Sequence, residues 1–343
     1  MPDFVAVILS WYEKNKRDLP WRNTKNPYFI WLSEIILQQT RVEQGLPYYE
    51  KFVSEFPSVA DLALADEQKV LKLWQGLGYY SRARNLHQTA KFIHFELNDQ
   101  FPSTYKKLLQ LKGIGNYTAA AIASFAFNEK KAAVDGNVYR VLSRIFDIDL
   151  PIDSTEGKKF FEKLANELIP NNFPGMFNQA MMEFGATQCV PVNPSCEICP
   201  VRHACEAYKN KTIALRPEKA KKTKVRPRYL HYFVFHDKNS IVLKKRTQND
   251  IWKNLFDFPL IDKEKENDIT LILKEAKIKR TEVTRIVSTK HQLSHQLLHI
   301  TFYEINKIPA QQQLLTGDCQ IVPMEKLNQF PLPKVIAKFL EKK

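Results

Sequence analysis

The chain has 343 residues, of which 44% are hydrophobic and 26% are charged. These fractions are close to the average of folded proteins, so they exclude a disordered or collagen-like chain. Lysine and arginine total 51 against 37 aspartate and glutamate residues, which gives a formal net charge of +14. The length predicts two or three domains. No apolar run approaches the ~20 residues of a membrane span, and we expect a cytoplasmic protein.

The pattern along the chain predicts two domains joined by a linker. Residues 1–210 have apolar positions recurring every three or four residues, which predicts an all-α domain. Residues 211–228 carry eight basic residues against one acid and contain two prolines, which is typical of a linker. Residues 229–343 predict a smaller α/β domain. Its β-branched and aromatic runs are Tyr229–Phe235, Ser240–Leu243 and Ile300–Ile305.

A glycine pair is the first candidate for a binding site. Gly113 and Gly115 flank Ile114 just before the alanine-rich run Ala119–Phe127, and Lys112 precedes them. Glycines ahead of a helix let the backbone aim N–H groups and the helix dipole at an anion, here a DNA phosphate. The excess of positive charge agrees with a polyanion, although solubility alone would explain it equally well. A plain turn between helices is the other interpretation of the glycines.

Asp135 is the first candidate catalytic carboxylate. It begins a predicted Asp-Gly turn, and we expect Asn137 to cap the helix that follows. Asp135 is then either a residue of the turn or a helix cap, or a carboxylate kept ionised by the helix dipole and backbone N–H groups. In the second case it can face a sugar and stabilise a cation-like transition state. The two roles are compatible.

Glu34 is the second candidate, since it is an acid inside the strongly apolar stretch Ile30–Leu37. Helical spacing puts it on one stripe with Gln38 and Arg41, which would be a solvated polar face. If the stripe instead lines a cleft, desolvation raises the pKa of Glu34 and leaves it protonated as a general acid. One protonated and one ionised carboxyl group are what hydrolysis of a glycosidic bond requires.

Four of the five cysteines crowd into one segment with the spacing Cys-x6-Cys-x2-Cys-x5-Cys. Clustering of this kind in a reducing compartment indicates a metal or cluster site and not a disulfide framework. Only one Cys-x2-Cys pair is present, so a four-thiolate iron–sulfur cluster fits better than structural zinc, which stays the second candidate. The expected ligands are Cys189, Cys196, Cys199 and Cys205, whereas Cys319 is expected to be an ordinary buried thiol.

Together these motifs resemble the helix-hairpin-helix DNA glycosylase superfamily of the endonuclease III kind. Ser33–Val42 and Gly76–Arg84 are similar to its adenine-specific branch, the MutY-type adenine DNA glycosylases. The resemblance covers residues 1–208 and implies an all-α glycosylase domain with a cluster loop at 189–205 and one [4Fe-4S] cluster. It implies base excision repair of adenine opposite 8-oxoguanine or guanine in duplex DNA. The enzyme is expected to be a monomer without membrane contact, associated with the nucleoid through DNA.

The resemblance also assigns roles to residues. It implies that Glu34 is the acid, that Asp135 stabilises the cationic sugar, and that Tyr117 and Asn137 support them. Bifunctional relatives have a lysine in place of Tyr117, and that amine cleaves the strand through a Schiff base, so a monofunctional enzyme is expected here. Residues expected to enter the base stack or to form the pocket for a flipped adenine are Gln39, Tyr79, Gln179, Trp21, Arg22 and Leu37.

The C-terminal domain resembles the Nudix-related domain with which such glycosylases read 8-oxoguanine. Ser294 and His295 match a Phe-Ser-His motif, but Leu293 replaces its phenylalanine and removes the aromatic side chain. Ser294 and His295 can still form hydrogen bonds with the damaged base. His291, His295 and His299 are spaced by four, as on the metal-binding face of a helix, but we predict that this stretch runs into a strand and binds no metal.

Two other functions are alternatives to a glycosylase. A non-catalytic iron–sulfur protein that only binds DNA would be favoured if either candidate carboxylate were missing. A nucleotide pyrophosphohydrolase is disfavoured, because Phe256–Glu266 has neither the glycines nor the glutamate cluster that hold magnesium in active Nudix enzymes.

Overall fold

The computed structural model describes residues 4–220, 225–309, 314–315 and 317–341. Three lysines of the predicted linker, Lys221, Lys222 and Lys224, therefore lie outside the described residues.

The described chain contains fourteen α-helices and seven strands. The helices are α1 (Phe4–Asn15), α2 (Pro27–Leu37), α3 (Val42–Glu55), α4 (Val59–Leu64), α5 (Glu67–Leu73), α6 (Ser81–Leu97), α7 (Tyr105–Leu108), α8 (Asn116–Phe127), α9 (Gly136–Ile145), α10 (Thr155–Leu168), α11 (Pro174–Thr187), α12 (Glu206–Lys209), α13 (Ile269–Glu275) and α14 (Lys334–Leu340). The strands are β1 (Arg226–Phe235), β2 (Ser240–Lys245), β3 (Phe256–Asp257), β4 (Leu260–Lys263), β5 (Arg285–Gln292), β6 (Gln296–Ile305) and β7 (Cys319–Pro323). None of the described helices has the length and hydropathy of a membrane span.

The chain forms two compact units, and each unit is made of two separate stretches of the sequence. The helical unit comprises Met1–Ala63 and Gln88–Lys222, and the C-terminal unit comprises Leu64–His87 and Thr223–Lys343. Sequence reasoning placed residues 64–87 with the helices around them. In the structure they belong to the C-terminal unit and contact the segment between β2 and β3: Arg84 donates to the Lys253 carbonyl at 2.8 Å, and the Asn254 amide donates to Glu67 Oε1 at 2.6 Å.

The predicted linker is structured where it is described. Asp147 accepts from Thr212 Oγ1 at 2.6 Å and from Arg216 Nε at 2.9 Å, which attaches the segment to the helical unit. Further on, the backbone N–H of Ala220 donates to Asp153 at 2.8 Å. The far end is part of a strand, since β1 begins at Arg226. Hydrogen bonds to distant residues therefore fix a segment whose composition resembles a flexible linker.

The helical unit is organised around the hairpin and two capped helices. Gly113 has a φ of +80°, a conformation that favours glycine, and Gly115 is the N-cap of α8. Asn26 caps α2 by accepting from the N–H of Tyr28, and a proline occupies the first turn. The apolar core of this unit includes Phe161 and Phe184, which are almost fully buried.

One predicted cap is wrong. Asp135, and not Asn137, is the N-cap of α9, and its side chain accepts from the N–H groups of Asn137 and Val138. The helix begins at Gly136, because the extended backbone of Asp135 places its carboxylate over the first free N–H groups. Asn137 lies inside the first turn, where its side chain does not cap the helix but donates to Asp135 and accepts from Arg140.

The C-terminal unit contains two sheets, with strand orders β4-β1-β6-β5 and β3-β2-β7. β1 and β6 pair in parallel, whereas the other pairs are antiparallel. The predicted strands are present and slightly longer than their sequence patterns. A core that includes Phe233, Val242, Ile272 and Tyr303 packs in this unit. An all-α domain with an additional α/β domain is thus the observed architecture.

Candidate active site

A cavity of about 560 Å³ in the helical unit brings most of the predicted site residues together. All four candidate catalytic residues line it, although they come from α2, α8 and the start of α9. Of the six residues that are expected around a flipped base, four also line this cavity. These eight residues are Glu34, Tyr117, Asp135, Asn137, Trp21, Arg22, Leu37 and Gln179.

Glu34 is buried within this cavity and is not part of a solvated stripe. Its exposed fraction is 8%, and α2 ends at Leu37, before the helix could carry Arg41 onto the same face. Desolvation raises the pKa of Glu34 to about 7, with Asp135 adding repulsion and a hydrogen bond from Tyr117 opposing the shift. Near neutral pH a large fraction of Glu34 is therefore protonated, as a general acid must be.

Asp135 is held by three hydrogen bonds at the N-terminus of α9. Oδ1 accepts from the N–H groups of Asn137 at 2.9 Å and Val138 at 2.8 Å, and Oδ2 accepts from Asn137 Nδ2 at 2.8 Å. The pKa of Asp135 lies above its ordinary value, because the effect of burial outweighs these bonds and the charge of Arg140, which lower it. The sequence predicted the stabilising hydrogen bonds of a cap but not the opposing effect of burial.

Tyr117 interacts electrostatically with the carboxyl groups of both Glu34 and Asp135. Burial raises its pKa well above the ordinary value, and the neighbouring Glu34 and Asp135 raise it further. The phenol therefore stays protonated and can donate a hydrogen bond. Its hydroxyl interacts with Glu34 and also lies 3.7 Å from Met182 Sδ. Tyr117 offers no amine to the cavity, so it cannot form a Schiff base.

Glu183 on α11 forms buried ion pairs with two arginines that the sequence pattern did not predict. Glu183 is fully buried and accepts from Arg17 Nε at 2.7 Å and from Arg22 at 2.7 Å. Burial alone would raise its pKa, but the two guanidinium groups hold it at about 2. The available signal was helical spacing, because Glu183 lies four residues after Gln179 on α11. Tyr12 fixes Gln179 by donating to its Oε1 at 2.9 Å.

Arg140 connects the active site to the cysteine segment. One of its terminal nitrogens donates to Asn137 Oδ1 at 2.9 Å, and Nε donates to the Cys189 carbonyl at 2.7 Å. Asn137 in turn donates to Asp135. The side chain of Asn137 is thus fixed on both sides, which supports its predicted assisting role.

The four clustered cysteines surround one small cavity in the helical unit, and none forms a disulfide. Burial raises the pKa of the Cys199 thiol to about 11, with Cys189, Cys205 and Cys196 adding repulsion. Within the described residues, no three acidic, histidine or cysteine side chains are close enough to hold a single metal ion. Thiolates around an iron–sulfur cluster each bind a different iron, so they need not approach one another as closely as ligands of a single ion.

Gln39 lies in the turn after α2 and is not among the residues that line the 560 Å³ cavity. It has a φ of +55°, and Tyr79 has a φ of +48°. Positive φ is uncommon for residues other than glycine and costs conformational energy. Tyr79 is also 44% exposed although it is a large aromatic residue. Both predicted stacking residues are therefore held in unusual backbone conformations.

A second cavity, of about 680 Å³, lies in the C-terminal unit and collects Tyr79, Ser294 and His295. Ser294 Oγ and His295 Nδ1 are 3.2 Å apart in the turn between β5 and β6. His291 lies in β5 and His299 lies in β6, which confirms the predicted strand. The three histidines therefore lie along a hairpin and not on one face of a helix. Trp252 lines the same cavity and was not singled out by its sequence.

The hairpin residues Lys112, Gly113 and Gly115 lie on the surface of the helical unit, between α7 and α8. Thr89 Oγ1 donates to the Lys112 carbonyl at 2.8 Å and fixes the start of the turn. A side chain added at Gly115 would meet nothing within 4 Å, so this surface is open.

Comparisons with known proteins identify the two domains. Residues 32–170 match the family model of the HhH-GPD superfamily base excision DNA repair protein, and residues 231–342 match the NUDIX domain. A solved thermostable thymine-DNA glycosylase is similar to 60% of this chain over 95% of its own length, with a TM-score of 0.56 and 32% identity. That enzyme is named for a different base, so the shared fold does not by itself define which base is removed.

Two curated relatives match nearly the whole chain. The adenine DNA glycosylase of Buchnera aphidicola subsp. Baizongia pistaciae is 39% identical over 313 residues, covering 89% of this chain and 87% of the relative. That of Buchnera aphidicola subsp. Schizaphis graminum is 37% identical over 352 residues, covering 98% of both. This chain belongs to the adenine DNA glycosylase family, with an HhH-GPD helical domain and a C-terminal NUDIX domain.

Proposed function

We propose that the protein is a monofunctional adenine DNA glycosylase that hydrolyses the N-glycosidic bond of adenine in duplex DNA during base excision repair. The observation that carries this proposal is the pair Glu34 and Asp135, which line one cavity in contrasting environments. Glu34 has a pKa of about 7, whereas Asp135 receives three hydrogen bonds to its carboxylate. Pairing an acid with an anion is the arrangement that glycosidic hydrolysis uses.

The reaction follows from these two environments. Protonated Glu34 donates to a ring nitrogen of adenine, so the base leaves as a neutral species. The sugar then carries positive charge, which the carboxylate of Asp135 stabilises across the cavity. Water then forms a bond to C1′ of the sugar and gives one proton to the Glu34 carboxylate, which restores the acid. Tyr117 supports the acid through its hydroxyl, and the abasic product is released without strand cleavage because no amine attacks the sugar.

Recognition of adenine is assigned to the walls of the same cavity. The Tyr12 hydroxyl donates to Gln179 Oε1, so the side-chain N–H groups of Gln179 are available to donate to ring nitrogens of adenine. Trp21 and Leu37 supply apolar surface. Glu183 neutralises part of the positive charge of Arg22, so the cavity attracts phosphate groups less strongly. Extrusion of a base costs a few kcal/mol, and we assign filling of the vacated stack to Gln39 and Tyr79.

DNA binding is assigned to the hairpin surface and to the net positive charge. Lys112 can contact a phosphate directly, and the open backbone near Gly113 and Gly115 lets a strand approach closely. Such contacts hold the duplex without reading its sequence. The protein is proposed to act as a monomer, because one chain brings all four candidate catalytic residues to one cavity and the proposed chemistry needs no residue from a second copy.

We also propose that the chain holds one [4Fe-4S] cluster. The four convergent free thiols fit such a group, and Arg144 approaches Cys189 Sγ at 3.5 Å, where it would balance thiolate charge. Zinc fits less well, because its four ligands must surround one ion and the described side chains do not. When bound, the cluster supplies a rigid cross-link for the cysteine segment. The ligands are Cys189, Cys196, Cys199 and Cys205.

The alternative functions have less support. A non-catalytic DNA-binding protein would have no need for a buried acid and an adjacent carboxylate. A nucleotide pyrophosphohydrolase needs several carboxylates on one helix to hold magnesium, whereas α13 carries only Glu275.

A single-turnover assay tests the proposed reaction. The substrates are duplexes with adenine opposite 8-oxoguanine, guanine or thymine, each analysed with and without alkali. We expect adenine release opposite 8-oxoguanine, slower release opposite guanine, and strand breaks only after alkali. Breaks without alkali would indicate a lyase, and tight binding with no release from any duplex would favour the non-catalytic alternative.

We propose that the partner base is read in the 680 Å³ cavity of the C-terminal unit. Replacing both Ser294 and His295 by Ala should reduce the preference for 8-oxoguanine over guanine about tenfold, because each lost hydrogen bond contributes roughly 0.5–1.5 kcal/mol. The ratio of single-turnover rates on the two duplexes measures the effect. Ser288→Ala, an exposed serine on β5 outside the cavity, is the control. An unchanged ratio in the double variant would place the reading of the partner elsewhere.

A further inference from the structure

The turn that leads into α6 carries Tyr79 and has an unusual backbone. Gly76, Gly78 and Tyr79 have φ angles of +105°, +75° and +48°. Glycine adopts such angles at little cost, whereas a tyrosine does so only when its surroundings hold it there. Tyr79 is 44% exposed, so burial of its own side chain contributes little to this conformation. Contacts from other residues must therefore fix the turn.

Arg82, the second residue of α6, supplies several of these contacts. Its backbone N–H donates to the Tyr79 carbonyl at 2.9 Å. One terminal nitrogen of its guanidinium group donates to the Gly78 carbonyl at 3.2 Å and lies 3.5 Å from the Leu77 carbonyl oxygen. The Trp74 indole N–H donates to the same Gly78 carbonyl at 3.0 Å. These donors hold the backbone immediately before Tyr79.

The guanidinium group of Arg82 also contacts two aromatic rings. Its Cζ lies 5.0 Å from the ring centroid of Trp74 and 5.8 Å from that of Tyr79, within the range of a cation–π attraction. Arg82 is only 9% exposed, and burial lowers its pKa to about 10, so the group stays charged at neutral pH. A charge is costly to bury, and this one lies beside an exposed tyrosine. The cation is thus placed where it can orient the ring of Tyr79.

We propose that Arg82 is a positioning residue that presents Tyr79 for insertion into the base stack of DNA. Its bonds to the carbonyl groups set the backbone of the turn, and the cation restricts rotation of the ring. A ring that is already oriented loses less entropy when it enters the stack. Arg82 lines neither the 560 Å³ nor the 680 Å³ cavity, so it acts through Tyr79 and not by direct contact with a base. The inference rests on the stack-filling role proposed above for Tyr79.

A double-mutant cycle on the full chain tests this role. The variants are Tyr79→Ala, Arg82→Gln and the two combined, and the readout is the single-turnover rate of adenine release at saturating enzyme. Each single variant should slow release about tenfold, in line with the contribution of one aromatic ring stacked on a base. The combined variant should be no slower than Tyr79→Ala, because Arg82 has nothing to position once the ring is absent. A merely structural role of Arg82 would instead make the two losses multiply.

The outcomes separate this inference from the function on which it rests. A native rate in Tyr79→Ala would remove the stack-filling role and the inference together. Slow release by Tyr79→Ala with a native rate in Arg82→Gln would overturn the inference alone, as would losses that multiply. The unfolding temperature of each variant is measured first. If Arg82→Gln does not fold, Arg82→Lys takes its place in the cycle, since lysine keeps the charge but lacks the planar fork that reaches the carbonyl groups.

Arg280 provides the matched control. Its guanidinium group also donates to a backbone carbonyl of the C-terminal unit, that of Val283 at 3.3 Å. Arg280→Gln removes the same charge and a similar bond at a place that lines neither cavity, and it should release adenine at the native rate. A loss as large as that of Arg82→Gln would show a general effect of charge and overturn the proposal.

Discussion

Replacing Glu34 by Gln is expected to abolish adenine release and to leave DNA binding intact. The amide has the size of the carboxyl group but cannot give up a proton, and general acid catalysis contributes about 10²–10⁴-fold to rate. Single-turnover rates on a duplex with adenine opposite 8-oxoguanine measure the loss, and a gel-shift titration measures binding. Glu50→Gln, an exposed residue of α3, is the matched control. Full activity of the Glu34 variant would exclude this residue as the acid.

The pH dependence gives a second test of Glu34. Its pKa is raised from 4.5 to about 7, so the active protonated form dominates below pH 7 and is lost as the pH rises above it. The single-turnover rate of the native chain should therefore fall about tenfold per unit well above pH 7. A rate that stayed constant between pH 6 and 9 would assign proton donation to another group.

The same shift predicts how stability changes. Between about pH 4.5 and 7 the folded chain holds a proton on Glu34 that the unfolded chain releases, so stability falls as the pH rises through this window. The difference amounts to at most about 3 kcal/mol at higher pH. Glu34→Gln should remove this cost and unfold at the same or a higher temperature than the native chain. A lost activity would then not be explained by unfolding.

Replacing Asp135 by Asn should lower the rate of adenine release by about 10²–10³-fold, the range measured for loss of one electrostatic group at a reacting centre. Asn lacks the negative charge that stabilises the sugar cation, but it caps helices as well as Asp does. It can still accept from the N–H groups of Asn137 and Val138. The hydrogen bond from Asn137 Nδ2 is lost, so a small destabilisation of about 1 kcal/mol is expected.

Asp268 provides the matched control for this variant. It is also an aspartate N-cap, and it accepts from the N–H of Thr270 at 2.7 Å at the start of α13. Asp268→Asn should have normal activity and a similarly small effect on unfolding. A rate loss no greater in the Asp135 variant than in the Asp268 variant would limit Asp135 to a capping role.

Short-range sequence patterns determined much of the site. The glycine pair before α8, the Asp-Gly pair before α9 and the cysteine spacing each depend on neighbouring residues. The glycine pair and the Asp-Gly pair located the starts of two helices, although the cap of α9 is Asp135 and not Asn137, and the cysteine spacing located four side chains that line one cavity. The period of the apolar residues located the helices, and the β-branched runs located the strands, because these patterns also depend on neighbouring residues. The resemblance then named eight residues that line one cavity.

Tertiary structure alone decided the remaining features, because they depend on groups far apart in the chain. Glu183 meets Arg17 from 166 residues away, and no local pattern predicts such a contact. Residues 64–87 belong to the C-terminal unit although chain order places them among the helices. The sequence suggested that Glu34 was an unusual acid, but only its burial within folded surroundings sets its pKa near 7. Desolvation and long-range charge depend on three-dimensional neighbours, which the order of residues does not display.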